Sequence, residues 1–306
     1  MYDITVIGAG PAGMCAALYA RRAQKSVLVI EKATFGGQIT HSPRVENYPG
    51  FLEMTGNEFA AKLLEQVMTH GAEIELDEVK SIQKSDTGYA VITENSCFST
   101  KSVIIATGSK HRPLGIEREE EFIGEGVSYC AVCDGAFYKD KTVAIIGGGN
   151  TALQEAVLLS DTCKKVYVVQ NLDHMTGEVS LVEKLSGREN VEFFLSTVVT
   201  ELVGSCELEE IKIKNVDTAT ETTLELDGVF VAIGQIPENE PFADVVALND
   251  RGYIVAGEDC LPDTDCDGIF VAGDCRTKSV RQVTTATADG AVAALAACRY
   301  VDSLEG

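Results

Sequence analysis

The chain uses one design twice. A β-branched run, Ile4 to Ile7, feeds Gly8-x-Gly10-x-x-Gly13, then an alanine-rich helical stretch ending near Ala23, then a strand, Val27 to Ile30, that closes on Glu31. From Thr142 the pattern returns as Val143 to Ile146, Gly147-x-Gly149-x-x-Ala152, a helix to about Leu159 and a strand from Val166 to Val169. This order is the dinucleotide-binding βαβ unit. Its first glycine permits the tight turn, the second lets backbone approach a pyrophosphate, and the third closes helix on strand. The helix N-terminus then offers amide donors to the phosphates. Glu31 stands where a carboxylate accepts from a ribose hydroxyl. Two such units predict an α/β chain with two Rossmann-like, three-layer dinucleotide-binding domains.

Further apolar strands fix how the two are joined. "KSVIIATG" precedes the second unit, "GVFVAIGQIPEN" follows it, and "DGIFVAGDC" brings a late strand back to the first. The second domain is therefore read as inserted into the first. Residues 1–112 and 238–306 form one discontinuous domain, and residues 113–237 form the other. Both crossings, near Arg112–Gly115 and Gly234–Glu238, contain Gly and Pro and suit hinges.

A net charge of −22 argues against nucleic acid and anionic membranes as partners. The acidity is uneven, since residues 113–237 hold nine Lys and Arg against 22 Asp and Glu. Basic clusters survive at Arg21-Arg22-Lys25, Lys110-His111-Arg112 and Arg276-Lys278-Arg281. No apolar run reaches membrane-spanning length, and a strand at Tyr2 leaves no room for a signal peptide, so a cytoplasmic protein is expected.

Eight of the ten cysteines are scattered singly, and only Cys130 and Cys133 form a CxxC. With four histidines in all and none at ligand spacing, no metal site is expected. A CxxC opening a helical turn brings two sulfurs within disulfide reach and favours a thiolate. Asp134, directly after, can shuttle the proton that a leaving thiolate needs. A structural disulfide, half a metal site or two buried thiols would leave the same spacing.

"GAGPAG", "GGQITHSPRVENYPGF", "ATGSKHRPLG", "GVSYCAVCDGAFYKDKTVAIIGGGNTALQEA" and "IFVAGDCRTKSVRQVTTATADG" together resemble the low-molecular-weight bacterial thioredoxin reductases over essentially the whole chain. The resemblance implies a homodimeric flavoenzyme that reduces thioredoxin through FAD and a redox-active disulfide. By motif, Gly8, Gly10 and Gly13 would hold the FAD pyrophosphate and Glu31 its adenosine ribose. Gly36, Gly37 and Gln38 would form the following loop, and Asn47 would touch the isoalloxazine. Asp274 would meet the ribityl chain, with Arg281, Gln282 and Val283 completing the flavin wall. Cys133 would take electrons from the flavin, Cys130 would attack the partner disulfide, and Asp134 would be the acid/base.

The chain departs from that family after the second unit's strand. NADPH-using members carry His-Arg-Arg and a further Arg there, cations that match a 2′-phosphate. Here the positions read Gln170, Asn171, Leu172 and Thr176. Gln170 is also not the acid that would hold both hydroxyls of an NADH ribose. The turn from Gly147 to Ala152 can bind a nucleotide or merely pack helix on strand. In this respect the chain resembles the ferredoxin-dependent flavin thioredoxin reductases of anaerobes, so ferredoxin is the expected donor. The alternatives are an NADH- or NADPH-dependent reductase with a non-standard nucleotide site, a dithiol oxidase passing electrons to oxygen, and, in a different class, a flavin-binding redox sensor.

Overall fold

The computed structural model describes residues 1–42 and 44–304; Pro43 of the loop motif and the last two residues lie outside the described residues. The chain divides into two units, Met1–Lys110 with Ile236–Gly306, and His111–Gln235 between them.

The first unit is built on a seven-stranded sheet. Tyr2–Ile7 lies between Val27–Glu31 and Cys97–Ile105, all parallel, with Ile4 opposite Val27 and Ile7 opposite Ile105. Glu73–Leu76 extends one side, and Ile269–Val271 pairs in parallel with the end of Cys97–Ile105. An antiparallel hairpin, Val79–Ser85 and Gly88–Thr93, continues from the same long strand. Strand alternation sorts the core into two faces. Ile4, Val6, Val29 and Ile104 face the helices Pro11–Arg22 and Val283–Ser303, whereas Ile7, Leu28, Ile30, Val103 and Ile105 pack with Phe242 and Ile254. The two helices meet through small residues. A Cβ on Gly290 would lie 2.2 Å from the Ala12 carbonyl oxygen, which is contact only glycine allows.

The inserted unit has a five-stranded parallel sheet in the order Val191–Phe194, Lys165–Val169, Thr142–Ile146, Gly228–Val231 and Val127–Ser128. A three-stranded antiparallel sheet, Thr197–Gly204, Leu208–Asn215 and Glu221–Glu225, packs on one face through Leu202, Ile211, Ile213 and Leu224. The helices Asn150–Ser160 and Val179–Ser186 pack on the other through Leu153, Ala156, Leu159 and Leu185. These are the three layers a βαβ unit needs to bury both faces of a parallel sheet. Among the described residues no helix is long and apolar enough to cross a membrane, and no group of three or more His, Cys, Asp or Glu could hold a metal ion.

Candidate active site

In the first unit the glycine turn is fixed by close contact. Gly8 sits at φ +103°, where a Cβ would lie 2.4 Å from the Ala106 oxygen, and a Cβ on Gly13 would reach the Gly8 oxygen at 1.9 Å. Gly10 differs. A Cβ there would meet nothing nearer than the Gly36 oxygen at 3.9 Å, so its backbone faces open space. The carboxylate of Glu31 accepts from the Ala9 amide at 2.8 Å and the Ala33 amide at 2.9 Å, which pins it beside the turn. Gly36 and Gly37 both have positive φ and lead into the short helix Gly37–His41, which carries Gln38.

In the same unit, Asn47 Nδ2 donates to Gln282 Oε1 at 3.2 Å. Gln282 caps the helix that begins at Val283, and its backbone amide donates to Thr285 Oγ1. Asp274 lies on the turn Gly273–Cys275. Its Oδ1 is buried with no protein partner, and burial lifts its carboxyl to about 6 against the pull of Lys278 and Arg281. Such an orphaned oxygen suits a hydroxyl-bearing ligand. Arg281 lies over the Tyr253 ring at 4.3 Å and donates to the carbonyls of Lys278 and Arg276.

The cluster Arg276-Lys278-Arg281, read from sequence as a basic patch, is not one. Arg276 is 1% exposed, and its Nε and Nη2 each donate to Asp289 at 2.9 Å. Lys278 joins the same carboxylate at 2.8 Å. Asp289 also accepts from the Gly273 amide at 3.0 Å, so these cations brace the turn that carries Asp274. Of the other clusters, Lys25 pairs with Asp302, Arg21 is tied to the carbonyls of His70 and Lys25, and Lys110 pairs with Glu238.

In the inserted unit Cys130 and Cys133 are joined by a disulfide, with Cα atoms 5.3 Å apart. Cys130 is the N-cap of the single turn Ala131–Asp134, and its sulfur accepts from the Cys133 amide at 3.2 Å. Ser128 ties the turn together. Its Oγ donates to Asp134 Oδ2 at 2.6 Å and accepts from the Cys130 amide at 3.1 Å. Burial raises the Asp134 carboxyl above the usual carboxylate range, opposed by the Ser128 bond, and its Oδ1 has no protein partner. A carboxyl whose ionisation is disfavoured by burial, on the same turn as two redox-active sulfurs, can give and take a proton in disulfide exchange.

Sequence reasoning missed Glu155. Burial pushes its carboxyl up to about 7; the Ala131 amide bond lowers it and the Asp134 charge raises it. The available signal was its place in Asn150–Ser160, within the stripe of Ala152, Ala156 and Leu159 that faces the core.

The second glycine turn is closed by its own neighbours. The Gln170 side chain is buried and folds back over Gly148, where a Cβ would lie 2.4 Å from its amide nitrogen. That nitrogen donates to the His174 carbonyl at 3.3 Å, and Oε1 accepts from the Asn171 amide. The amides of Thr176 and Gly177 both donate to the Gly148 carbonyl at 2.9 Å. Glu178 Oε1 accepts from Asn150 Nδ2 at the head of the helix. Leu172 is exposed, and the one cationic candidate of the segment, His174, contacts Asp173.

With this geometry in hand, comparison with known proteins gives a consistent answer. Residues 2–290 match the family model for pyridine nucleotide-disulphide oxidoreductases. The chain belongs to that family. A thioredoxin reductase of Listeria monocytogenes is 39% identical over 306 residues, spanning 100% of this chain and 95% of its own. A Clostridium pasteurianum protein described as a 34.2 kDa protein in the rubredoxin operon is 39% identical over 300 residues, covering 98% and 97%. The crystal structure of thioredoxin reductase from Streptococcus pyogenes superposes with a TM-score of 0.93 at 38% identity, covering 99% of both chains.

The chain is thus a flavin-dependent disulfide oxidoreductase of the thioredoxin reductase type, with FAD as its cofactor. The first unit fits that group. The open face of Gly10 leaves room for a pyrophosphate, and the orphaned Asp274 oxygen offers a partner to a hydroxyl. When bound, FAD supplies the redox chemistry that passes electrons to a disulfide.

Proposed function

We propose that the protein reduces thioredoxin and that its electrons come from ferredoxin rather than from NADPH. Cys133 is the sulfur that accepts electrons from the flavin, Cys130 is the thiol that attacks the thioredoxin disulfide, and Asp134 moves the proton. Gly8, Gly10, Gly13 and Glu31 hold the adenosine side of FAD. Gly36, Gly37, Gln38, Asn47, Asp274, Arg281, Gln282 and Val283 hold the remainder. The eight other cysteines carry no disulfide, which suits a cytoplasmic enzyme, and the family resemblance favours a homodimer.

The observation that carries the choice of donor is the Gln170 side chain turned onto Gly148. Where a 2′-phosphate would need guanidinium groups, this chain places a buried amide, an exposed Leu172 and a Thr176 whose Oγ1 donates to the Gly148 carbonyl. The Glu178 carboxylate beside the helix N-terminus opposes a second anion there. Losing two or three charge-assisted bonds, each about 1.5–3 kcal/mol, weakens NADPH by several orders of magnitude at about 1.4 kcal/mol per tenfold. With Arg276 and Lys278 buried, any charge steering of an acidic ferredoxin falls mainly to Arg21, Arg22 and the exposed Arg112. Salt should therefore slow the reaction only modestly.

Calorimetric titration of the purified flavoprotein with NADPH and NADH should show no binding at micromolar concentration. Micromolar NADPH affinity would overturn the proposal. Micromolar NADH affinity alone would make Gln170 a ribose contact and the enzyme an NADH-dependent reductase. Asp134→Asn should slow thioredoxin reduction by about 10²–10⁴-fold, because a positioned acid/base contributes that much. Its loss should be smaller than that from either cysteine change, and unaltered turnover would remove Asp134 from the mechanism.

A further inference from the structure

Two carboxyl groups, not one, belong to the CxxC turn and the helix packed with it. Asp134 is bonded through Oδ2 to Ser128, and Ser128 in turn receives the Cys130 amide. Glu155 comes from Asn150–Ser160, the helix whose Ala152 and Ala156 pack with Ala131 of the CxxC turn. Asp134 Oδ1 and Glu155 Oε2 are both buried without a protein partner. A buried, unpartnered carboxylate oxygen is costly and becomes tolerable when the group holds a proton. Two such groups at the turn that follows Cys130 match the stoichiometry of the chemistry. Reduction of the Cys130–Cys133 bond breaks one S–S bond and takes up two electrons and two protons to give two thiols.

We propose that Glu155 is the second proton carrier of this centre, a positioning residue that acts through Asp134. Asp134 exchanges a proton with the sulfur that leaves or attacks, and Glu155 supplies or withdraws the proton of Asp134. The exchange with the partner disulfide conserves protons, since the two released by the enzyme dithiol end on the two sulfurs of the partner; the two protons taken up when the Cys130–Cys133 bond is reduced come from solvent. An ionised Glu155 also places negative charge behind the turn and opposes a thiolate at Cys130. The charged and titratable groups facing the pair are few. The charge acting on Glu155 is Asp134, and Tyr138, from the turn Gly135–Tyr138, is held at about 12 by burial and by the Asp134 charge. Glu183 and Lys184 of the neighbouring helix are exposed, and Lys165 of the sheet beneath pairs with Glu192.

The proposal rests on thiol chemistry at Cys130 and Cys133 and is independent of the electron donor. It is tested on the flavoprotein reduced by dithiothreitol, whose thiols are oxidised to a cyclic disulfide as the CxxC disulfide is reduced. After removal of the reagent, the rate of Cys130 alkylation by iodoacetamide is followed against pH. The wild type should show an inflection near about 7 besides that of the thiol itself. Glu155→Gln, which keeps the size of the side chain, should lose that inflection and alkylate several-fold faster on its alkaline side. The same limb should vanish from its kcat profile with KM for thioredoxin unchanged, which a merely structural role would not produce. Infrared difference spectra of the wild type, reduced minus oxidised, should contain a protonated-carboxyl C=O band that is absent in Glu155→Gln. An identical pH profile in the variant, or no carboxyl band in the wild type, would overturn the proposal. Failure of Cys130 to alkylate at all would overturn both it and the role given to the pair.

Discussion

Replacing Cys130 or Cys133 by serine should abolish thioredoxin reduction while leaving FAD bound. Serine keeps the size of the side chain but cannot form the S–S bond that stores two electrons. The turn itself should survive. In Cys130→Ser the new hydroxyl can still accept from the Cys133 amide, as the Cys130 sulfur does now, and serine is a favoured N-cap. The residues assigned to FAD all lie in the other unit, so the yellow colour should persist. Turnover and bound flavin absorbance, measured on the same preparation, check both halves. Substantial turnover in either variant would place the working dithiol among the other cysteines, of which Cys97 and Cys206 are exposed.

Asp289→Ala should be among the most destabilising single changes in the first unit. The carboxylate serves Arg276, Lys278 and the Gly273 amide at once, and removing it leaves a 1%-exposed guanidinium without its main counter-charge. Breaking a buried pair from one side costs about 3–5 kcal/mol. Because Gly273 precedes Asp274, the variant should also retain FAD poorly. Chemical denaturation measures the first effect and flavin retention on gel filtration the second. A stability change below about 1 kcal/mol would show that the network is dispensable. The pH dependence has a definite sign. Burial alone would raise the Asp289 carboxyl, but its bonds to Arg276 and Lys278 outweigh this and hold it below the ordinary value of 3.8. Its contribution is therefore complete above that value and is lost as pH falls through the lower folded value.

The parts legible in the sequence were those carried by backbone. Glycines that must approach Ala106 or Gly8, a carboxylate at the end of Val27–Glu31 and a CxxC before a second glycine turn all have fixed spacing along one short segment. Charge patterning was less informative. Arg276 and Lys278 look like surface residues from their spacing, and only the fold brings Asp289, thirteen positions beyond Arg276, to bury them. Glu155 was hidden for the opposite reason. An acid in a helix reads as solvated, and its burial depends on the turn Ala131–Asp134 packing against that helix. At Gln170 the sequence showed what was missing, and the structure adds that the amide is turned inward over Gly148.

The proposal is that this flavoprotein takes its electrons from ferredoxin and not from a pyridine nucleotide. Its most direct test is anaerobic mixing of the oxidised protein with NADPH, NADH or reduced ferredoxin, following loss of the flavin absorbance. Reduced ferredoxin should bleach the flavin, and subsequent thioredoxin should restore the colour, while NADPH at micromolar concentration leaves the spectrum unchanged. Rapid bleaching by micromolar NADPH with none by ferredoxin would contradict the account.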